Sequence, residues 1–414
     1  MRPLLLLIGL MLLTAASQPA QAAKPALQAT QFGVVGDGTT LNTLALQKLI
    51  DTCSAQGGGV VSLPAGRYLT GTIQLKDGVK LRLEAGATLL GSPNAADYRN
   101  LDPFVAGDGI SLGYALIIAL DAKNVGLEGP GAIDGQGQAI KAAQNPYTVR
   151  PFLMRWIRCS DVKVNDVHLS HPGAWTMHFF QSKGVNVSGV TIRSRGLMNN
   201  DGIDIDSCET VRVSNCDIDS GDDAICLKAT SPLPCRDVEV SNCRLKTSCN
   251  AIKLGTESLG DFQNIRISNC QIRDTGMAGI ALYCVDGAHL REVSLSNISM
   301  DGITVPLSIR LGARLKTFRV GDVPKPPGLL RDISIKNVRA SGARQIGMLI
   351  NGIPGHQIEN LSLENIDIEV VGGGKIEDAA IKFPEKEAAY PEMLMFGRRM
   401  PVFGAYTRHI KGLK

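Results

Sequence analysis

Apolar and polar residues alternate in short runs along most of this chain, and the runs recur. "VRVSNCDI" (211–218), "VEVSNCRL" (238–245), "IRISNCQI" (265–272) and "VSLSNISM" (293–300) share one pattern around Ser-Asn. Weaker copies are "VKVNDVHL" (162–169), "VNVSGVTI" (185–192), "ISIKNVRA" (333–340) and "LSLENIDI" (361–368). From Gly189 onward the corner residue returns after 26, 27, 27, 28, 40 and 28 residues. A period of two within each run predicts strands with one buried face. A unit this short cannot bury that face alone, so it must stack on copies of itself, as in a β-solenoid. A propeller blade would need about 40 residues or more. The 40-residue step holds "VGDVPKPPG", whose composition predicts a surface loop.

A second strand recurs beside the first: "GIDIDS" (202–207), "AICLKAT" (224–230), "AIKLGTE" (251–257), "GIALYCV" (279–285) and "PLSIRLG" (306–312). Set in register, Ile203, Ile225, Ile252 and Ile280 form one inward ladder. Ile205, Leu227, Leu254 and Leu282 form another. Upstream, "TTLNTLALQKLIDTCSAQGGG" (39–59) places Leu41, Leu44, Ala45 and Leu49 at helical spacing, with Thr40 as cap and Gly57 as stop. The predicted fold is all-β: a parallel β-helix whose open first turn is covered by a short N-terminal helix.

The same register carries candidate chemistry. Asp201 and Asp223 fall on one position of adjacent turns, about 4.8 Å apart at the backbone, with Asp222 beside them. A single Asp at a strand start reads as a turn residue, and calcium would also gather hard oxygen ligands. Three carboxyls in register point instead to catalysis. Their repulsion raises at least one pKa, and glycoside hydrolysis needs one acid protonated and another ionised. Lys228, Tyr283 and Arg310 share one outward column, and Lys253 lies in the next.

Charge and composition narrow the alternatives. The 414 residues carry a formal charge of +4 without a basic run, which argues against nucleic acid as a partner. Arg2, the apolar "LLLLIGLMLL" (4–13) and "AQA" (20–22) predict an export signal over residues 1–22, followed by one catalytic domain over residues 23–414. That places the expected protein in the periplasm or outside the cell, off the membrane once the signal is cleaved, as a monomer. Ten cysteines in an exported chain suggest disulfides. However, Cys216, Cys243 and Cys270 repeat at one corner and read as stacked buried thiols. There is no CxxC spacing, so neither a metal nor a cofactor is expected. "GAYTRHIKGLK" (404–414) has the look of a turn's first strand without its second, which predicts a frayed edge with Phe403 and Ile410 uncovered.

With these residues in place, the chain resembles glycoside hydrolase family 28, the polygalacturonase family, from about Phe32 onward. "FGVVGDGTTLNTLALQ" (32–47) and "GGGVVSLPAGRYLTG" (57–71) look like the opening of bacterial members. "NND", Asn199–Asp201, is similar to the family's Asn-x-Asp motif. Asp222 and Asp223 are similar to its Asp pair, and "HPGAWTMHF" (171–179) to the segment contributing Trp175 and His178. The resemblance implies a right-handed helix and inverting hydrolysis of a pectin-type polysaccharide, acidic or mixed. Asp222 would be the general acid, with Asp201 and Asp223 holding the attacking water; inverting carboxyls usually stand about 6.5–9.5 Å apart. Candidate substrate contacts are Asn199, His178, Lys228, Asn250, Lys253, Glu257, Tyr283 and Arg310.

Two departures from the family stand out. Cys249 in "SCN" replaces the histidine of a Gly-His-Gly motif, and Ala281-Leu282-Tyr283 replaces Arg-Ile-Lys. Those basic residues grip a uronate carboxylate in polygalacturonases, and Arg310 could replace the clamp by bidentate contact. A rhamnogalacturonan-type hydrolase, a lyase on the same fold and a non-catalytic sugar-binding solenoid are the rival readings. The last would keep exposed aromatics, and aromatic residues are only 5% here.

Overall fold

The recurring Asn sits where the chain must turn. Asn215, Asn242, Asn269, Asn297, Asn337 and Asn365 all have φ between +53° and +56°, the left-handed region that Asn tolerates better than other non-glycine residues. Gly189 occupies the same corner one turn earlier, at φ +66°. Asn297, Asn337 and Asn365 each donate a side-chain hydrogen bond to the Asn of the preceding turn, at 3.1, 2.9 and 3.0 Å. The corner is therefore fixed both by backbone preference and by a ladder of amides.

The computed structural model describes residues 26–106 and 109–414; the expected signal over residues 1–22 lies outside them. The strands stack in parallel from turn to turn, and the molecule is a parallel β-helix. Ile203, Ile225, Ile252, Ile280 and Leu307 pair in register and are all fully buried. Val211, Val238, Ile265, Val293 and Ile333 form a matching ladder on another face. Each such side chain contributes about 1.5–3 kcal/mol by leaving water, so the ladders are the main stabilising element. Cys216, Cys243 and Cys270 follow the Asn corner as buried thiols outside any disulfide.

The N-terminal helix is present but turned from its expected face. It spans Thr43–Ala55 and buries Leu46, Leu49, Ile50 and Cys53, against the strands Gly59–Leu63 and Ile73–Leu75. Leu44 is 86% exposed. Asn42, not Thr40, precedes the first turn; its side chain accepts from Val35 N at 2.8 Å and donates to Val35 O at 2.9 Å. Among the described residues no helix is long and apolar enough to cross a membrane.

Three excursions crowd one face, that of the sheet holding Ile203–Asp206, Ile225–Ala229, Ile252–Ser258 and Ala278–Cys284. The strand Arg99–Val105 folds back antiparallel on Ser111–Leu120. The loop after Val305–Leu311 falls in the 40-residue step, as its composition predicts, and carries Arg314 to Asp286 at 2.6 Å. Residues 371–404 run back across the sheet and bury Met393, Phe396 and Met400 against Ile346 and Leu349.

The chain end is paired on one side only: among the described residues neither of its two strands has a partner beyond it, which leaves the expected open edge. Ala405–Arg408 pairs with Met348–Asn351, and Ile410–Lys411 with Ile358–Val370. Backbone bonding continues to Lys414, whose N–H donates to Leu361 O at 2.9 Å. Phe403 remains 42% exposed, as expected.

Candidate active site

Asp201 and Asp223 do occupy one position on adjacent turns: Ile203 pairs with Ile225 two residues on, and Gly202 N donates to Asp223 O at 2.9 Å. The turn ahead of Asp201 is held by Asn200, whose amide donates to Pro172 O and Ala174 O at 3.2 and 2.8 Å. The Asp222 carbonyl accepts from both Ser220 Oγ and Thr247 Oγ1, and Asp222 Oδ1 accepts from Asp223 N at 2.9 Å. These bonds fix the acids before any ligand arrives, as an active site requires. All three line a cleft of about 300 Å³ with Asn199, Lys228, Lys253 and Glu257.

The three carboxyls are not electrostatically equal. Asp222 is pushed above the usual carboxylate range by burial and then by the Asp223 charge. Asp223 goes the other way, down to about 2. Burial is the largest single effect on it and would raise it, but Lys253 at 2.9 Å and Lys228 together outweigh burial. Asn250 adds two bonds to Asp223 Oδ1, from its backbone N at 3.1 Å and its amide at 2.8 Å. Asp201 is raised by burial, then by Asp204 and Asp222. Neighbouring carboxyls with opposite leanings are what acid and base assignments need.

Lys228 holds the other half of the site. Its ammonium lies 3.6 Å from Asp201, 3.4 Å from Asp204 and 3.6 Å from Glu257, and 4.5 Å from the Trp175 ring centroid. Asp204 is fully buried and raised to about 8, by burial that Lys228 only partly offsets. Glu257 is lowered because Lys228, Lys253 and Arg314 overcome its burial. Asp204 stands in "GIDIDS" at the outward position between the inward Ile203 and Ile205, but it resembles no motif residue.

Four candidate contacts are corrected. Arg310 is turned from the cleft: its guanidinium donates to Gly352 O, Glu385 O and Lys386 O at 3.0–3.1 Å. Tyr283 is fully buried with its hydroxyl on Ser308 Oγ at 3.0 Å. His178 lies beneath Trp175, between Arg155 and Asp206, and burial lowers it to about 4. Asn250 touches Asp223 rather than open space. In each case an outward strand position is covered by an excursion or a neighbour. Tyr390 and Glu392, which the sequence did not single out, line the cleft from the far end of the chain.

Asp222, Asp223 and Cys249 bring three donor atoms within 4.8 Å of one another. Burial and the two acids push the Cys249 thiol up, so it stays protonated and makes a poor partner for a metal that needs a thiolate.

The comparisons with known proteins now bear on this geometry. The family model "Glycosyl hydrolases family 28" matches residues 53–389. The chain belongs to glycosyl hydrolase family 28. It is similar to a "Probable polygalacturonase" of Vitis vinifera, 33% identical over 212 residues, covering 48% of this chain and 43% of that protein. It is also similar to an "Exo-poly-alpha-D-galacturonosidase" of Dickeya chrysanthemi, 29% identical over 246 residues, covering 47% and 40%. The chain thus spans less than half the length of these curated relatives. An exopolygalacturonase structure from Thermotoga maritima superposes with a TM-score of 0.71 at 22% identity, covering 84% of this chain and 88% of that one. At that identity the likeness confirms the β-helix fold.

Proposed function

We propose that this family 28 glycosidase hydrolyses glycosidic bonds in a pectin-type polysaccharide. The observation that supports it most is the gathering of Asp201, Asp222 and Asp223 in one cleft, where burial pushes Asp222 up while Lys253 and Lys228 hold Asp223 down against burial. Asp222 donates its proton to the leaving oxygen. Asp201 lines the same cleft from the neighbouring turn and takes the attacking water. Asp201 and Asp204 are both raised by burial beside the Lys228 ammonium, and the Asp204 charge raises Asp201 further. With Asp204 protonated, Asp201 ionises more readily and serves as the base.

The lyase reading needs a neutral basic residue to take a proton from carbon. Lys253 does not offer one: burial alone would lower it, but Asp223 and Glu392 hold it protonated. Lys228 is likewise held above its ordinary value against burial, with Glu257, Asp204 and Asp201 among the causes. Incubation with homogalacturonan, rhamnogalacturonan and pectic side-chain fragments tests the choice. New reducing ends without unsaturated sugar are expected, undiminished by EDTA. An unsaturated product, or activity restored only by calcium, would favour the lyase.

A further inference from the structure

Glu392 reaches the cleft from a segment that sequence pattern does not connect to it. Its Oε1 lies 3.3 Å from Lys253 Nζ, and its Oε2 is buried with no hydrogen-bond partner. The segment is held in place from behind. Arg310 binds the carbonyls of Glu385 and Lys386, Arg408 binds Phe383 O at 3.0 Å, and Phe383 stacks on Phe396 at 4.8 Å. Tyr390 stands beside it, its hydroxyl within 3.2 Å of Thr256 Oγ1 and its ring 6.0 Å from the Lys253 ammonium.

The charge balance of the cleft follows. Among the described residues its lining holds two ammonium groups, Lys228 and Lys253, and five carboxyls, Asp201, Asp222, Asp223, Glu257 and Glu392. Both ammonium groups already face carboxylates of the chain. Even with Asp201, Asp222 and Glu392 all protonated, two carboxylates match two ammonium groups, and no positive charge is left over. The buried lining atoms without partners, Asp201 Oδ1 and Glu392 Oε2, are carboxyl oxygens. Neither oxygen offers a donor to a uronate carboxylate, which only accepts.

We propose that the sugar bound against Lys253 and Glu392 is uncharged, and that Glu392 strengthens this preference by setting a second carboxyl against Lys253 beside Asp223. The inference rests on reading the cleft as a sugar site. Two sources share the required chemistry, a neutral sugar and a methyl-esterified uronate. Tyr390 supplies the apolar wall on which either pyranose can rest.

Titration calorimetry on the Asp222→Asn protein reads binding without turnover. The probes are a de-esterified oligogalacturonide, its fully methyl-esterified form and a neutral galacto-oligosaccharide. At least one uncharged probe is expected to bind about tenfold or more tighter than the free acid, and which one does so identifies the source. Adding Glu392→Gln leaves Asp223 as the one carboxyl paired with Lys253 and is expected to narrow the gap to within about threefold. The inference is overturned if the free acid binds as tightly as the uncharged probes, if none binds, or if Glu392→Gln leaves the gap unchanged. The first comparison needs no change at Glu392. Because the readout is binding, the result stands apart from whether the wild-type protein cleaves pectin.

Discussion

Asp222→Asn is expected to lower kcat by about 10²–10⁴-fold, the usual worth of a general acid, while the folded state persists. The amide keeps the shape and can still accept from Asp223 N, a bond of 2.9 Å in the wild type. Ser220 and Thr247 grip the backbone carbonyl of Asp222, which the substitution does not touch. What is lost is the proton that burial and Asp223 keep on the carboxyl. Rates on a responsive pectic substrate, with a thermal melt as control, check this. Turnover within a few fold of wild type by a folded variant would remove the assignment.

The second large effect is on stability. Lys228→Met is expected to cost about 3–5 kcal/mol near neutral pH, the range for stranding buried charge. Lys228 faces Asp201, Asp204 and Glu257 within 3.6 Å, and its side chain is 5% exposed. The pH dependence has a definite sign. In the wild type Asp204 stands near 8 in the folded state against an ordinary 3.8. The folded protein therefore binds the extra proton between these values, and the contribution of Asp204 to stability falls as pH rises through that window. Without Lys228 the Asp201 and Asp204 carboxyls rise further and Glu257 loses its main stabilising charge. The variant should thus lose more melting temperature between pH 5 and pH 8 than the wild type does. Equal melting temperatures at pH 8 would contradict this reading of Lys228.

The ladders and the acids were legible because both depend on register. A period of two tells which strand residues face inward, and aligned Ile and Leu pairs then carry Asp201 onto Asp223. The same rule misled at Arg310 and Tyr283. An outward position there is not an exposed one: Arg310 is held by carbonyls of the returning segment 371–404, and Tyr283 is fully buried with its hydroxyl on Ser308. His178 was covered in the same way by Trp175 and Phe104. Glu392 had no local signal at all, since it meets Lys253 across 139 residues of chain. The N-terminal helix was found from its spacing but with the wrong face, because Leu41 and Leu44 extend the apolar pattern without being buried.

The central claim is that Asp201, Asp222 and Asp223 carry out direct displacement by water, with no bond from the enzyme to the sugar. Proton NMR of the first reducing ends formed, before mutarotation, observes this step. The account predicts the anomer opposite to that of the bond cleaved. Retained configuration would make one of these carboxylates a nucleophile and would contradict the roles assigned to all three.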